Sequence, residues 1–281
     1  MVRIQQISQI TFWLILKPSN FSEGFLWDFF RIFAKIKFMK RTLTILFLTV
    51  LVVGIFYQYM WGRDFSNQKV EIKKIKIGNY GLTRSHVNFI RIKKNSAKFE
   101  VVNKNHESHD IWINANYFTK NGTPIGEVKI NGKNYTKKRP GGAYFTSNGK
   151  NPRLYFGRRP NKVLYSAQTH TPIIVDGNPC SRIFNQRWAR KKLPRLIVGK
   201  DSKGNFCVVH TIGLTACTVK EFYHVARDLG LVNAMMFDGG ASIEVGVRHG
   251  LNTYEYQIIP DVQRKIGNVP TPTVFIVGDF I

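Results

Sequence analysis

Residues 229–244 read Leu-Gly-Leu-Val-Asn-Ala-Met-Met-Phe-Asp-Gly-Gly-Ala-Ser-Ile-Glu and join the end of a helix to a buried strand and a polar turn. The apolar run from Ala234 to Phe237 is typical of a strand that is buried on both faces. Asp238 stands where that run stops. Gly239 and Gly240 follow, and glycine reaches backbone angles that are closed to other residues and leaves room for a ligand. The segment therefore predicts a carboxylate at a strand end, beside open backbone.

The Asp238-Gly239 pair has two interpretations. Asp-Gly is a common hairpin signal, so a plain turn is the simpler one. The other is a catalytic acid, and Glu244, six residues further on, is then a candidate second carboxylate. The rest of the chain has to decide between them, because short motifs often match by chance.

Composition indicates a folded, strongly basic domain. The 281 residues are 43% hydrophobic and 13% aromatic, which supports a substantial core and excludes a disordered chain. The net charge is +25, and residues 63–281 carry 35 of the 42 lysines and arginines and 15 of the 17 acids, a balance of 35 − 15 = +20. The excess charge therefore belongs to the globular part, where it favours anionic partners.

The three cysteines are Cys180, Cys207 and Cys217, and they lack the spacing of a metal site. A disulfide between Cys207 and Cys217 is one interpretation, which requires the chain to double back between them. Buried free thiols are the other.

Residues 39–62 are predicted to be a transmembrane signal anchor. No charged residue lies between Thr42 and Gly62, and a span of this length crosses a hydrocarbon core of ~30 Å. Basic residues precede the span and aromatic residues end it, as the positive-inside rule and the aromatic belt require. The following domain is then expected on the periplasmic or extracellular side. Residues 1–38 are interpreted as a basic and aromatic extension, one explanation of which is a wrongly chosen start codon.

The remaining chain predicts an α+β fold, a single strand-rich domain of mixed and antiparallel sheet with a few helices over residues 87–281. Residues 63–86 are polar and basic and are predicted to be a linker. Asn-Gly pairs at 121, 131 and 148 indicate hairpin turns, and the strands on either side of residues 93–96 are expected to form another hairpin. Thr218 and Glu221 form a capping box for one clear helix.

Polar residues at the ends of apolar runs are the candidate site. They are Asn114, Asn116, Gln168, Arg195 and His210. Each has a simpler structural role: the asparagines as strand caps, Arg195 as one surface cation among many, and His210 as a strand-end histidine with satisfied hydrogen bonds. Asp176, followed by Gly177, is a further acid with a strong turn signal.

The order of these motifs resembles one family. Asn114-x-Asn-Tyr-Phe118, Gln168 followed by Asp176-Gly177, Arg195-x-x-x-Gly199 and Asp238-Gly-Gly-x-Ser242 appear in sequence. They are similar to the phosphodiester glycosidase domain, which occurs in uncovering enzymes and in bacterial exopolysaccharide-associated proteins. The resemblance extends from about Val87 to Val277.

The resemblance implies a hydrolase that releases a sugar from a sugar-1-phosphodiester, acting on cell-surface or exopolysaccharide-related glycans. Asp238 and Glu244 are then the candidate catalytic carboxylates, and Arg195 is expected to bind the phosphate, because a guanidinium binds phosphate oxygens in a bidentate manner.

The remaining candidates are expected to contact substrate. They are Asn114, Asn116, Gln168, His210, Gly239, Gly240 and Ser242. No cofactor is required by the sequence. The sequence leaves open whether a divalent cation takes part, since Asp238 and Asp176 offer hard oxygen ligands.

Two departures from the family pattern favour an alternative. Ala241 stands where the family usually has a third glycine, and Leu196 replaces a hydroxyl residue after Arg195. The alternative is a non-catalytic protein of the same fold that binds a glycan or another anionic polymer at the cell surface. A nucleic-acid binder is disfavoured, because the predicted membrane anchor places the domain outside the cytoplasm.

Overall fold

The computed structural model describes residues 65–77, 85–119, 121–158, 161–169, 171–212, 215–250, 252–257 and 272–281. All of them belong to one compact unit, Gly62–Ile281. Its strands follow in chain order: β1 (Phe65–Ser66), β2 (Val70–Ile77), β3 (Ser85–Ile92), β4 (Ala97–Asn103), β5 (Ile111–Asn114), β6 (Val128–Ile130), β7 (Lys133–Thr136), β8 (Ala143–Ser147), β9 (Arg153–Phe156), β10 (Tyr165–Thr169), β11 (Thr171–Val175), β12 (Asn178–Pro179), β13 (Leu196–Asp201), β14 (Phe206–Thr211), β15 (Leu231–Met236), β16 (Glu244–His249), β17 (Asn252–Gln257) and β18 (Val274–Phe280). The described helices are α1 (Ser181–Phe184) and α2 (Val219–Asp228), with 3-10 turns at His106–Ser108 and Gly240–Ser242.

The strands form three sheets. The first has the order β1-β2-β3-β14-β13-β15-β11-β12, the second β7-β6-β10-β8-β9, and the third β17-β16-β5-β18-β4. Every pairing within the described residues is antiparallel. The prediction of a strand-rich domain with few helices is thus confirmed, and its sheets are antiparallel where described.

One face of each sheet contributes to a shared core. Ile111 and Ile113 of β5 point into that core, and Trp112 between them points to the opposite face, as the period of a strand requires. On the first sheet, β13 places Leu196 and Val198 in the shared core, while Ile197 packs on the other face under α2. The three sheets therefore enclose one core, and α2 covers the outer face of the first sheet.

The structure confirms two of the predicted Asn-Gly turns and the predicted helix cap. Asn131 and Gly132 have positive φ angles in the turn between β6 and β7, and Asn148-Gly149 lies in the turn between β8 and β9. The capping box of α2 is present, with the Thr218 side chain accepting from the Glu221 backbone and the Glu221 side chain accepting from the Thr218 backbone. The three cysteines are free thiols, which settles the open disulfide question.

The prediction of a hairpin around residues 93–96 is wrong. β3 pairs with β2 and β14 in the first sheet, whereas β4 pairs with β18 in the third. The turn therefore carries the chain from the first sheet to the third, and both strands bury one face in the shared core.

The linker predicted for residues 63–86 also needs correction. This stretch contains β1 and β2, and β2 pairs with β3 along all eight of its residues. The many lysines of β2 suggested a linker, yet Val70 and Ile72 alternate with charged residues and are buried in the core. The folded domain therefore begins at residue 65 or before.

Among the described residues, no helix is long and apolar enough to cross a membrane. The span predicted at 39–62 and the extension 1–38 lie outside those residues.

Candidate active site

The three sheets meet at one end, which we call the site edge. There β5, β10, β14 and β15 end, while β11, β13 and β16 begin. Side-chain hydrogen bonds join the sheets at this edge. Thr169 Oγ1 donates to the Met236 carbonyl oxygen at 2.5 Å, and Asn116 Nδ2 donates to the Gln168 carbonyl oxygen at 2.7 Å. Residues from all three sheets therefore lie close together here, although they are far apart in sequence.

Asp238 leads into a loop that is held tightly on one side and open on the other. A Cβ atom added to Gly239 would lie 2.6 Å from the Pro194 carbonyl oxygen, so only glycine fits. The Gly240 backbone N–H donates to the same oxygen at 2.9 Å. Gly240 has a φ of +62°, and no atom of a described residue lies within 4 Å of an added Cβ. The loop is thus fixed against β13 and leaves space in front of Gly240.

Asn114 fixes the two candidate acids relative to each other. Its Nδ2 donates to the Asp238 carbonyl oxygen at 2.9 Å, and its Oδ1 accepts from the Glu244 backbone N–H at 2.9 Å. The side chain is completely buried. Asn114 thus ties the third sheet to the Asp238 loop, and its predicted contact with sugar hydroxyls stays a prediction.

Gln168 organises two neighbouring loops. Its Oε1 accepts from the backbone N–H groups of Glu127 and Arg139 at 2.9 and 3.0 Å. Its Nε2 donates to the carbonyl oxygens of Arg139 and Gly141 at 2.7 and 2.8 Å. The amide is buried and fully engaged, so the structure assigns it a positioning role, while direct substrate contact stays a prediction.

Asn116 has one unused atom. Its Nδ2 bonds to backbone carbonyls, but its buried Oδ1 accepts no hydrogen bond from the described residues. A buried carbonyl without a donor costs about 1–3 kcal/mol, which a bound hydroxyl or water would recover. Among the predicted sugar-binding amides, Asn116 therefore keeps acceptor capacity for a ligand.

Arg195 is a buried cation that forms no ion pair with an acid in the described part of the chain. Its Nε donates to the Cys217 carbonyl oxygen at 3.1 Å, and its Nη2 donates to the Lys191 carbonyl oxygen at 2.6 Å. Nη1 makes no hydrogen bond to a described residue, and no described acid pairs with the guanidinium. Burial lowers the pKa of Arg195 from its usual value, and the group remains charged at neutral pH. The positive charge of Arg195 can therefore attract an anion. Nη1 is the guanidinium nitrogen that can still donate to a phosphate, and the predicted phosphate contact stays a prediction.

Tyr117 joins the site without having been predicted from sequence. Its hydroxyl forms a hydrogen bond with the Thr171 side chain, and the charges of Asp238 and Arg195 both affect its pKa. Burial and then the negative charge of Asp238 raise the pKa of Tyr117 to about 12. The phenol is therefore neutral and keeps its proton within range of the Asp238 charge. Its place directly after the Asn114-x-Asn116 motif was the one signal that could have found it.

His210 is buried between the first and third sheets. Its Nδ1 donates to the Thr211 carbonyl oxygen at 3.0 Å, and its Nε2 accepts from the Tyr254 hydroxyl at 2.7 Å. Burial lowers the pKa of His210 to about 4, so the ring is neutral. Both ring nitrogens have protein partners, and the predicted substrate contact of His210 stays a prediction.

Glu244 lies on the outer face of the third sheet. Its Oε1 is 2.7 Å from Nε2 of His106, whose ring stacks on Phe275 at a centroid distance of 3.7 Å. The carboxylate is buried. Its charge, after burial, helps to raise the pKa of Glu255 on the adjacent strand. Glu244 is thus a paired acid, and its predicted catalytic role is not tested by this geometry.

Ser242 ends the 3-10 turn that follows Gly239 and is half-buried. Asp176 lies in the turn between β11 and β12, at the opposite end of β11 from Thr171, so it does not meet Asp238. In the described part of the chain, no group of three or more His, Cys, Asp or Glu side chains converges to hold a metal ion.

A three-sheet antiparallel fold with a carboxylate, a tyrosine and a buried arginine at one edge suits a hydrolase of the glycosidase class. Residues 109–275, more than half of the chain, match the family model of phosphodiester glycosidases. The chain belongs to the phosphodiester glycosidase family.

Solved structures share this fold. The catalytic domain of zebrafish N-acetylglucosamine-1-phosphodiester alpha-N-acetylglucosaminidase, auto-inhibited by its pro-peptide, is 14% identical, with a TM-score of 0.55 over 77% of this chain and 86% of that one. A hypothetical protein from Synechocystis is 12% identical, with a TM-score of 0.53 over 76% of this chain and 62% of that one. No curated protein matches the chain by sequence.

Proposed function

We propose that the chain hydrolyses a sugar-1-phosphodiester at the site edge. The observation that carries the proposal is that the Asp238 loop is held by Asn114 and by the close packing of Gly239, with the Tyr117 hydroxyl near enough for the charge of Asp238 to raise its pKa. Membership of the phosphodiester glycosidase family supports the same reaction. The released products are a sugar and a phosphate monoester.

The reaction breaks the bond between the anomeric carbon and the phosphate oxygen. Water adds its hydroxyl group to the anomeric carbon, and its second proton is released to the surroundings or taken up by a carboxylate. The transition state resembles an oxocarbenium ion, which a nearby carboxylate stabilises. We assign that role to Asp238, because its loop is held in place by Asn114 and Gly239 and its side chain is half-exposed.

The leaving phosphate gains negative charge as the bond breaks. The Tyr117 hydroxyl is suited to donate a hydrogen bond to it, since its raised pKa keeps the proton in place. The positive charge of Arg195 has no acidic partner among the described residues and favours the same charge development. Preorganised groups of this kind act without rearranging during the reaction.

Glu244 is the second carboxylate of the proposal. Asn114 links its backbone to that of Asp238, so the two acids keep a fixed relation. The partner of Glu244 is His106, which holds the buried carboxylate in place. Ser242, Gly239 and Gly240 then line the approach to Asp238.

The non-catalytic alternative rests on Ala241 and Leu196. Leu196 is fully buried in the shared core, so a hydroxyl at this position would not reach a ligand in front of Asp238. Ala241 remains as the feature that favours a glycan or anionic-polymer binder of the same fold.

We further propose that the domain acts outside the cytoplasm on cell-surface or exopolysaccharide-related glycans, attached to the membrane by residues 39–62. The uncharged span between Thr42 and Gly62 supports this placement.

The decisive experiment measures release of N-acetylglucosamine from UDP-N-acetylglucosamine and from a sugar-phosphate-sugar diester by the purified full-length chain. Asp238→Asn is expected to lower kcat at least about a hundredfold, as loss of a catalytic carboxylate does. Asp228→Asn, an exposed acid at the end of α2, is the matched control and is expected to retain wild-type rates. Equal rates for the wild type and Asp238→Asn would overturn the proposal and favour the binding protein.

A further inference from the structure

A basic cavity lies at the end of the first sheet that is remote from the site edge. β13 begins at the site edge and spans six residues to Asp201, a strand length of about 20 Å. A cavity of about 460 Å³ opens there, and its lining includes Glu71, Arg91, Lys93, Lys94, Asp201 and Lys203. We call it the basic pocket.

The two acids of the basic pocket already have partners. Glu71 pairs with Lys73 and with Arg91. Asp201 Oδ1 accepts from the backbone N–H groups of Lys203 and Asn205 at 3.0 and 2.9 Å, and its Oδ2 lies 3.2 Å from Arg91 Nε. These acids therefore neutralise Arg91 and Lys73 and hold the turn.

The lysines of the basic pocket have no such compensation. Lys93, Lys94 and Lys203 are exposed and pair with no described acid. Lys200 and Arg153 extend the same positive region. Burial, then the charges of Lys94 and Arg153, lower the pKa of Lys200, which indicates that these cations crowd one another. An anion bound here would relieve that repulsion.

The backbone that carries these lysines is held in place. The Lys94 N–H donates to Asn205 Oδ1 at 3.0 Å, which joins the turn after β3 to the turn after β13. The Asn95 N–H donates to Asn151 Oδ1 at 2.9 Å, which adds the turn after β8. Hydrogen bonds thus link the three turns to one another. Because their backbone is already ordered, an anion can bind with little further loss of backbone entropy.

We propose that the basic pocket binds phosphate groups of a polymeric substrate, a glycan whose sugars are joined by repeating 1-phosphodiesters. This inference rests on the proposed function, because it assigns the cleaved bond and the bound phosphates to one polymer. A chain of such units reaches from Asp238 to a second site about 20 Å away. Binding at two places raises the effective concentration of the scissile bond at the site edge.

The lining of the basic pocket favours a glycan phosphate over a nucleic acid. Single-stranded nucleic acids bind on aromatic side chains that stack with bases. None of the described residues that line the basic pocket is aromatic. Lysine binds phosphate as a point charge, which suits a flexible polymer without a fixed planar group.

A binding assay that needs no turnover tests the inference. The full-length chain carrying Asp238→Asn is titrated with a polymer of N-acetylhexosamine units joined by 1-phosphodiesters, with free inorganic phosphate and duplex DNA as comparison ligands. The triple variant Lys94→Gln/Lys200→Gln/Lys203→Gln is expected to bind the polymer about tenfold more weakly at low salt, with a salt dependence reduced by about two charges. Lys76→Gln, an exposed lysine on the same sheet, is the matched control.

The outcomes separate the two proposals. Weaker polymer binding by the triple variant supports the basic pocket if the same three substitutions, made in the chain that keeps Asp238, leave cleavage of a small sugar-phosphate-sugar diester unchanged. Polymer binding equal to that of Lys76→Gln overturns it, even if Asp238 proves catalytic. Tighter binding of duplex DNA than of the polymer, lost in the triple variant, also overturns the glycan assignment and makes the region a nucleic-acid site. Thermal unfolding of each variant checks that the fold is retained.

Discussion

Tyr117 and His210 show how burial sets the proton state of single residues in this protein. Burial and the charge of Asp238 raise the pKa of Tyr117 to about 12, whereas burial lowers the pKa of His210 to about 4. In both cases low-dielectric surroundings disfavour the charged form. The phenol therefore keeps its proton, and the imidazole stays neutral, throughout the physiological range.

Replacing Tyr117 by Phe removes the proposed donor to the leaving phosphate. We expect Tyr117→Phe to lower kcat about a hundredfold, with a smaller change in KM, since the hydrogen bond strengthens as the phosphate gains charge. Steady-state kinetics on the small diester measures both constants. Tyr135→Phe, which removes an exposed hydroxyl on β7, is the control. A wild-type kcat in Tyr117→Phe would remove this residue from the mechanism.

The lowered pKa of His210 predicts that the folded protein loses stability in acid. The folded-state pKa of about 4 lies below the ordinary value of 6.5, so the unfolded chain binds the proton first as the pH falls. The contribution to the free energy of unfolding is complete above pH 6.5 and is lost as the pH falls through 4, by about 3 kcal/mol in total.

Urea unfolding at neutral pH and at about pH 4 measures this effect. His210→Gln is expected to lose about 3 kcal/mol less than the wild type between the two conditions, whatever its stability at neutral pH. His224→Gln changes a more exposed histidine of α2 and should follow the wild-type pH dependence. Parallel curves for His210→Gln and the wild type would contradict the buried neutral state.

At the scale of elements, the loop between β15 and β16 requires two glycines for two different physical reasons. Gly239 is needed because its α-carbon packs against the Pro194 carbonyl group, while Gly240 is needed for its positive φ. Gly239→Ala is expected to displace Asp238 and to cost about 1–3 kcal/mol of stability, as overpacking does. Gly240→Ala costs about 1–2 kcal/mol through backbone strain but meets open space.

Kinetics and thermal unfolding of the two variants separate these demands. We expect Gly239→Ala to lose most of its activity, because the carboxylate moves, and Gly240→Ala to keep more of it. The opposite order would mean that the space in front of Gly240 is filled by substrate.

Elements also show which local signals are reliable. The capping box of α2 and the Asn131-Gly132 turn are confirmed, because caps and two-residue turns depend on neighbouring backbone groups alone. The pairing of β3 with β4 was wrong, because two strands on either side of a short turn look alike whether they pair or join different sheets.

At the scale of the whole molecule, buried amides connect the sheets at the site edge. Asn114 joins the third sheet to the Asp238 loop, and Asn116 joins it to the second sheet. These bonds hold the candidate site between sheets that otherwise touch through apolar side chains, so the geometry of the site depends on the assembly of the complete domain.

Asn114→Ala tests this dependence. Removing the amide leaves the Asp238 carbonyl and the Glu244 N–H without their buried partner, which we expect to cost about 1–3 kcal/mol for each unsatisfied group. Activity should fall more than stability alone explains, since both candidate acids lose their common support. Chemical unfolding and kcat on the small diester measure the two effects. Asn134→Ala on β7 is exposed and serves as the control.

The candidate site was predictable in its membership more than in its roles. Sequence motifs placed Asp238, Arg195, Asn114, Asn116 and Gln168 at strand ends, and these ends do meet at one edge. The roles depend on hydrogen bonds to backbone groups more than fifty or a hundred residues away, which no local pattern specifies.

The sequence by itself determined the family, the strand-rich class, the helix cap and most of the turns, because these depend on the order of motifs, on periodicity and on neighbouring backbone groups. Only the tertiary structure decided that β2 belongs to the first sheet and that β3 and β4 lie in different sheets. It also brought Tyr117 within range of the Asp238 charge and buried Arg195 with no acidic partner among the described residues. Those arrangements depend on burial and on electrostatic interactions between residues that are far apart in sequence. Such interactions exist only once the sheets have assembled around the shared core.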